Sequence, residues 1–230
     1  MSAIPGQLTF DLPHRAALGV EDFLVSQSNR AASDVVDRWP EWPQFSLLVV
    51  GPARAGKTHL TNVWRLKSSA ARLEASALCD AHVKAAADHN AVLVEDLHRG
   101  IGDERVLFHL LNLVREHKLS MLLTSRAPAG ELPVTLPDLR SRLRALPFVT
   151  IDPPDEALLK AVLVKHFMDR QLVVEPHVIG YIALHMERSM EAAATIVAEI
   201  DSAALASHRR ITRALAAEIL ARGRPAEDGL

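Results

Sequence analysis

Short apolar runs alternate with amphipathic segments between residues 45 and 151, and this alternation constrains the fold more than any other feature of the chain. Each run is almost entirely apolar, as expected of a strand that is buried on both faces of a parallel sheet. The sequence therefore predicts an α/β domain, with a parallel sheet and helices on both of its faces. Strands are predicted at residues 45–50, 72–75, 91–95, 120–124 and 148–151. Helices are predicted at residues 57–67 and 138–145, and after the caps Asp80 and Asp103 as far as residues 88 and 118.

The chain beyond residue 154 has a helical pattern and lacks strand signals. Asp155, Ser189 and Thr212 are suited to accept hydrogen bonds at helix N-termini, and a further helix is expected near residues 178–187. We therefore expect a small bundle of four helices that ends at Gly223. The expected organisation is an extended N-terminal peptide at residues 1–14, the α/β domain at 15–152, the helical domain at 153–223 and a disordered tail at 224–230.

The composition narrows the class of protein. With 49% hydrophobic and 23% charged residues, the 230-residue chain has the balance of a globular protein and not of a disordered one. Its apolar runs are too short to span a membrane, and we expect no secretory signal. Cys79 is the single cysteine, which excludes an intrachain disulfide and fits a reducing cytoplasm. A net charge of −2 gives no global attraction to nucleic acid.

A glycine-rich loop follows the first predicted strand and opens the first predicted helix. It fits the pattern GxxxxGK[ST], in which backbone N–H groups surround a polyphosphate and the helix N-terminus adds a positive dipole end. Lys57 is predicted to reach the β- and γ-phosphates, and the Thr58 hydroxyl to bind Mg²⁺. The sequence thus predicts a site for ADP or ATP with Mg²⁺. The loop residues are Gly51, Pro52, Ala53, Arg54, Ala55, Gly56, Lys57 and Thr58.

Two acids, Glu95 and Asp96, stand at the end of the strand predicted at residues 91–95. Ligands bind at the carboxyl edge of open α/β sheets, so both carboxylates are expected near the glycine-rich loop. One carboxylate is expected to help hold Mg²⁺, with Glu95 placed beside Thr58, and the other to orient an attacking water. Which of the two serves the metal is left open by the sequence.

Taken in order along the chain, these motifs resemble the ATPase part of the bacterial replication initiator DnaA and its shorter homologues of the Hda type. The resemblance implies an AAA+ fold, in which the nucleotide lies between the sheet domain and a helical lid. It also implies nucleotide contacts for Leu24, Val25 and His59. The segments that carry the resemblance are residues 23–30 beside the adenine, the glycine-rich loop, residues 94–96, residues 123–128 at a strand end, and residues 139–143.

Two positions depart from the family pattern. Glu95 stands where the family usually has Asp, and Glu191 stands near the position of the family's lid arginine. A carboxylate beside a γ-phosphate would repel it, and Arg188, three residues earlier and about one helical turn away, is the alternative cation. We therefore expect the chain to be at most a weak ATPase when it acts alone.

The segment Gln7-Leu8-Thr9-Phe10-Asp11-Leu12 precedes the predicted domains. It resembles the peptides that bind the bacterial sliding clamp, which is the β subunit of DNA polymerase III. In such a peptide the Gln7 amide makes hydrogen bonds, while Leu8, Phe10 and Leu12 enter an apolar groove. The expected partners are therefore the clamp and, only through it, DNA.

Three arginines, Arg140, Arg142 and Arg144, lie on the last predicted helix of the α/β domain. At about 100° per residue, Arg140 and Arg144 share a face, and Arg142 points roughly 200° away from Arg140. The resemblance implies that Arg142 is an arginine finger, which is offered to a nucleotide held by another subunit. An arginine suits this task because its planar fork donates two hydrogen bonds to phosphate.

The resemblance implies a negative regulator of replication initiation that is tethered to the DNA-loaded clamp and stimulates ATP hydrolysis by DnaA in trans. The alternative is an autonomous P-loop ATPase that acts as a helicase loader or remodels a replication protein. A DNA-reading initiator is disfavoured, because residues 224–230 are too few for a DNA-binding domain. We expect a cytoplasmic protein that is associated with the nucleoid through the clamp, and homo-oligomer formation stays open.

Overall fold

The computed structural model describes residues 24–207 and 209–222 of the chain. These residues divide into two compact units. Residues 27–154 form one unit, the α/β unit, and residues 155–222 together with residues 24–26 form the other, the lid unit. Among the described residues, no helix combines the length and the apolar character that crossing a membrane requires.

The α/β unit is built on a five-stranded sheet in which every pair of neighbouring strands is parallel. The strand order is β2-β3-β4-β1-β5, and this confirms the predicted parallel sheet. Its elements are α1 (Arg30–Asp37), β1 (Ser46–Val50), α2 (Lys57–Ser68), β2 (Ala71–Glu74), α3 (Asp80–Ala87), β3 (Ala91–Glu95), α4 (Glu104–His117), β4 (Ser120–Ser125), α5 (Pro137–Arg144) and β5 (Phe148–Thr150).

The three inner strands are buried at every position, which explains why their sequences are continuous apolar runs. On one face, Leu48, Val92 and Leu123 pack in a cluster that includes the buried side chains of α4 and α5. On the other face, Leu47 and Leu93 pack against the buried side chains of α1 and α2. Helices therefore cover both faces of the sheet, as the sequence predicts.

The predicted helix starts are confirmed at one acid and wrong at another. The Asp103 carboxylate accepts the backbone N–H groups of Arg105 and Val106, at 2.8 and 3.4 Å, and α4 follows it. The prediction that Asp80 caps a helix from outside is wrong, because α3 begins at Asp80 itself. Helix α1 is a further helix, at residues for which the sequence predicted none.

The lid unit contains four helices within residues 155–222. Side-chain oxygens of Asp155, Ser189 and Thr212 accept N–H groups of the first turns at 2.8, 3.1 and 3.4 Å, which confirms these predicted caps. The helices bury an apolar cluster that includes Leu163 and Val197. Gly223 and the predicted tail lie outside the described residues. The helices are α6 (Glu156–Asp169), α7 (Pro176–His185), α8 (Met190–Ser207) and α9 (Arg213–Arg222).

Candidate functional site

The loop between β1 and α2 depends on two glycines. The Gly51 N–H donates to the carbonyl oxygen of Ser125 on β4, at 3.1 Å. A Cβ atom on Gly51 would lie 2.6 Å from the carbonyl oxygen of Ile151, so no larger residue fits there. Gly56 has a φ of +99° immediately before α2, a conformation that L side chains rarely adopt. These glycines allow the backbone to wrap closely around the N-terminus of α2.

Lys57, the first residue of α2, is buried inside this loop. Its Nζ donates to the carbonyl oxygens of Gly51 and Pro52, both at 2.7 Å. Burial and the positive charge of Arg126 lower the pKa of Lys57, and the carboxylate of Asp96 opposes that shift. A buried ammonium group is therefore held at the centre of the loop, where an anion would meet it.

The other loop residues differ in exposure, which decides what each can contact. Ala55 is buried and packs in the cluster beneath α1 and α2. Thr58 and His59 are exposed on the first turn of α2, so their side chains are accessible to a ligand. The remaining exposed loop residues are Pro52, Ala53 and Arg54.

The two acids at the end of β3 are in different environments. The Glu95 carboxylate is buried and makes a short ion pair with the Arg72 guanidinium of β2. Asp96 has a left-handed φ of 62°, and its N–H donates to the Thr124 hydroxyl at 2.9 Å. Its carboxylate lies 3.1 Å from the Arg99 Nε, and it is the acid whose charge acts on Lys57. The structure therefore separates two residues that the sequence left equivalent.

Two further residues near Asp96 were missed or underrated by the sequence analysis. The His98 ring lies with its Nδ1 3.9 Å from the Asp96 carboxylate, and neither ring nitrogen has a hydrogen-bond partner among the described residues. Burial lowers the pKa of His98, while Asp96 opposes this shift and Arg126 adds to it. Arg126 directly follows β4, and its position after a strand end is the signal that points to it.

The three arginines of α5 differ in their contacts. Arg140 donates from its Nε to the carbonyl oxygen of Val134, at 3.0 Å, just before the helix. Arg144 lies near Gly130, with its Nε 3.9 Å from the point that a Cβ atom there would occupy. Arg142 is half-buried, and across residues 24–207 and 209–222 its guanidinium has neither a hydrogen bond nor an ion pair. Among the described residues, the Arg144 guanidinium likewise has no hydrogen bond or ion pair, so Arg140 is the arginine of α5 that is bound, and Arg142 and Arg144 are available to a partner.

The residues of the lid unit that were predicted to contact or face the nucleotide differ in their exposure. Val25 is buried there and Leu24 is half-buried. Arg188 is exposed in the turn before α8, three residues before Glu191 and outside that helix. The hydrogen bond and charge of Lys160 lower the pKa of Glu156, and Arg188 adds to this shift. Glu191 is exposed in the first turn of α8.

Two predicted features, the clamp-binding peptide and the magnesium site, are not complete within the described residues. Gln7, Leu8, Phe10 and Leu12 lie outside the described part of the chain. Within that part, no three His, Cys, Asp or Glu residues are grouped so that they could hold a metal ion by themselves. The available donors near the loop, such as the Thr58 hydroxyl and a carboxylate, suit a Mg²⁺ ion that takes its other ligands from phosphate and water.

Known proteins resemble this chain in sequence and in structure. Residues 155–220 match the family described as "Hda, lid domain". The chromosomal replication initiator protein DnaA of Symbiobacterium thermophilum is 26% identical over an alignment 205 residues long, which covers 77% of this chain. Those residues correspond to 45% of that protein, so the chain spans less than half the length of this curated relative.

Two solved structures of DnaA share the fold. Domain III of the Thermotoga maritima replication initiation protein DnaA matches with a TM-score of 0.72 and 16% identity, over 87% of this chain and 94% of that one. AMPPCP-bound DnaA from Aquifex aeolicus matches with a TM-score of 0.67 and 19% identity, over 79% of this chain and 64% of that one. Together these likenesses show an AAA+ fold like that of DnaA domain III, in a chain whose residues 155–220 are similar to the Hda lid domain.

Proposed function

We propose that this chain is a nucleotide-binding negative regulator of replication initiation, which stimulates ATP hydrolysis by DnaA in trans through Arg142. The observation that carries the proposal is the contrast within α5, where Arg140 is bound to the chain's own backbone and the Arg142 guanidinium has no polar partner among the described residues. The homology to DnaA supports the choice of partner, because AAA+ proteins of one family share complementary surfaces.

The nucleotide is ADP or ATP, held by the loop that Gly51, Gly56 and Lys57 form. Phosphate oxygens would take the place of the two carbonyl oxygens that now accept from the Lys57 Nζ. The N–H groups at the start of α2 add hydrogen bonds and the positive end of the helix dipole. The Aquifex aeolicus relative is bound to AMPPCP, which supports an adenine nucleotide.

Mg²⁺ would neutralise phosphate charge, with the Thr58 hydroxyl as one ligand. Asp96 is the better second candidate of the two acids, because its charge acts on Lys57 and it is partly exposed. Glu95 is already engaged by Arg72, which supports the expectation that the chain alone hydrolyses ATP weakly at most.

Arg142 would act on a nucleotide held by DnaA. Charge accumulates on the phosphate oxygens as ATP is hydrolysed, and a guanidinium fork contacts two of these oxygens at once. An arginine supplied from a partner raises the rate by about 10³–10⁵ in the well-studied GTPases. Because Arg142 makes no polar contact with described residues, its transfer to a partner breaks no internal hydrogen bond.

The sliding clamp would determine where this chain meets DnaA. We propose that Gln7, Leu8, Phe10 and Leu12 bind the sliding clamp on DNA, so that the chain meets DnaA only after a clamp is loaded. Tethering raises the effective concentration of the two proteins without any new contact between them. Gln7→Ala and Leu8→Ala are expected to weaken clamp binding in surface plasmon resonance and to leave ADP affinity unchanged. An unaltered clamp affinity in both variants would assign this peptide another task.

Phosphate release distinguishes the proposal from its rival. It is measured with this chain alone, with cognate DnaA alone, and with both proteins on clamp-loaded DNA. A regulator gives slow release alone and fast release only in the complete mixture. Fast multiple turnover by the isolated chain would instead identify an autonomous ATPase of the loader or remodeller kind.

A further inference from the structure

The turn that precedes α5 is gripped by a side chain from another helix. The Glu104 carboxylate, at the start of α4, accepts the Thr135 N–H at 2.8 Å and the Leu136 N–H at 2.6 Å. It also accepts the Thr135 hydroxyl at 2.9 Å. Three donors from two consecutive residues therefore converge on one carboxylate that lies 31 positions away in the sequence.

Arg140 holds the same turn from the opposite direction. Its Nε donates to the Val134 carbonyl oxygen, so side chains bind the N–H groups of Thr135 and Leu136 and the C=O group of Val134. Burial raises the pKa of Glu104, but the hydrogen bonds from Thr135 and Leu136 and the charge of Arg140 outweigh it and lower that pKa. The carboxylate is therefore ionised at neutral pH and a strong acceptor.

The start of α5 needs such support. No side chain of its own caps the helix at Leu136, and the helix has only eight residues. Pro137 in the first turn favours a helix start and Leu139 and Leu143 anchor the inner face, while the polar groups of the preceding turn are bound from outside the helix. Glu104 supplies that restraint from α4, whose buried residues belong to the central core.

We propose that Glu104 is a positioning residue for Arg142, which acts by fixing the start of α5 against the rigid helix α4. This inference rests on the proposed function of Arg142 in trans. Arg142 is a long side chain with no polar partner among residues 24–207 and 209–222, so its direction is set mainly by the helix that carries it. A preformed orientation avoids ordering the helix when the partner's nucleotide arrives.

The test compares Glu104→Ala and the isosteric Glu104→Gln with Glu116→Ala, which removes an exposed acid at the far end of α4. Amide hydrogen exchange reports on Thr135 and Leu136, and phosphate release from cognate DnaA on clamp-loaded DNA reports on function. We expect faster exchange at both amides in Glu104→Ala and a maximal stimulated rate about tenfold lower. The concentration that gives half-maximal stimulation should change by less than about twofold, since clamp tethering sets it.

Glu104→Gln keeps one acceptor oxygen and should fall between the wild type and Glu104→Ala, while Glu116→Ala should match the wild type. The double variant Glu104→Ala/Arg142→Ala should be no slower than Arg142→Ala alone, because both changes remove the same contribution. Full stimulation by Glu104→Ala, with Arg142→Ala inactive, would overturn the positioning role and leave the proposed function intact. Full stimulation by Arg142→Ala would overturn the proposed function and this inference with it.

Discussion

Among the described residues, the α/β unit buries charged side chains and the lid unit does not. Among the described residues, the buried charged side chains are Lys57 and Glu95, and both lie at the carboxyl edge of the α/β sheet. The lid's buried polar residues are Ser26 and Ser189, neither of which carries a charge. Burying charge costs stability, so its restriction to one sheet edge marks the place where the fold serves chemistry.

The family-model match lies in the lid unit and not in the unit that buries charged side chains. The family model matches residues 155–220, within the lid unit, although the buried charged side chains Lys57 and Glu95 lie in the α/β unit. A helical bundle with a specific apolar core is recognisable as a whole, whereas a nucleotide loop is shared by many protein families. The family model is thus confined to the lid unit, whereas the alignment with the curated DnaA relative covers 77% of this chain and so includes part of the α/β unit.

The largest expected effect is on ADP affinity, and it distinguishes a cation of the α/β unit from a cation of the lid unit. Lys57→Ala should lower ADP affinity about 100-fold, because it removes the buried ammonium group at the centre of the loop. Arg188→Ala in the lid should lower it by less than about fivefold. Isothermal titration calorimetry measures both, with Lys84→Ala, an exposed lysine on α3, as the control. Equal losses for Lys57→Ala and Arg188→Ala would break the contrast between the units.

Two glycine substitutions should change stability in opposite directions. Gly51→Ala places a Cβ 2.6 Å from the Ile151 carbonyl oxygen and should lower the free energy of unfolding by about 2 kcal/mol. Gly180→Ala lies inside α7, where the nearest atom, the Lys160 Cε, is 3.9 Å away. It should raise the free energy of unfolding by roughly 0.5–1 kcal/mol. Urea titration followed by circular dichroism measures both, and a stabilising Gly51→Ala would contradict the packing described for the loop.

A smaller effect should distinguish Glu95, the last residue of β3, from Asp96, which follows it. Asp96→Asn is expected to weaken Mg²⁺-dependent ATP binding about tenfold, since Asp96 is the carboxylate that acts on Lys57. Glu95→Gln should leave that binding within about twofold and lower the melting temperature instead, because it leaves Arg72 without its partner. ATP titrations with Mg²⁺ and with EDTA make the comparison, and a larger loss in Glu95→Gln would reverse the assignment.

Much of this architecture could be predicted from local patterns. The buried strands β1, β3 and β4 are apolar at nearly every position, and Asp103 and Asp155 lie where helix caps are needed. Helix α1 was missed because Asn29 makes no side-chain cap bond and the helix has only eight residues. Short helices without caps depend on tertiary packing, which a sequence pattern does not report.

The interactions that separate similar residues could not be predicted. The pairing of Arg72 with Glu95 depends on the register between β2 and β3, in which Glu74 lies beside Glu95. The different fates of Arg140 and Arg142 depend on a turn that helix spacing does not describe. The sequence predicts that these residues lie near a strand end or on one helix. Only their contacts in the structure show which side chains are bound within the chain and which could contact a ligand or another protein.

Stimulated phosphate release by Arg142→Ala shows whether Arg142 acts on a nucleotide held by DnaA. The assay contains cognate DnaA loaded with ATP, clamp-loaded DNA and the variant, after clamp binding and ADP binding have been found equal to those of the wild type. We predict that Arg142→Ala loses stimulation by about 100-fold or more, that Arg142→Lys is also defective because a point charge cannot make the bidentate contact, and that Arg144→Ala stays close to the wild type. Stimulation by Arg142→Ala at the wild-type rate would show that Arg142 is not the residue that acts on the nucleotide of DnaA.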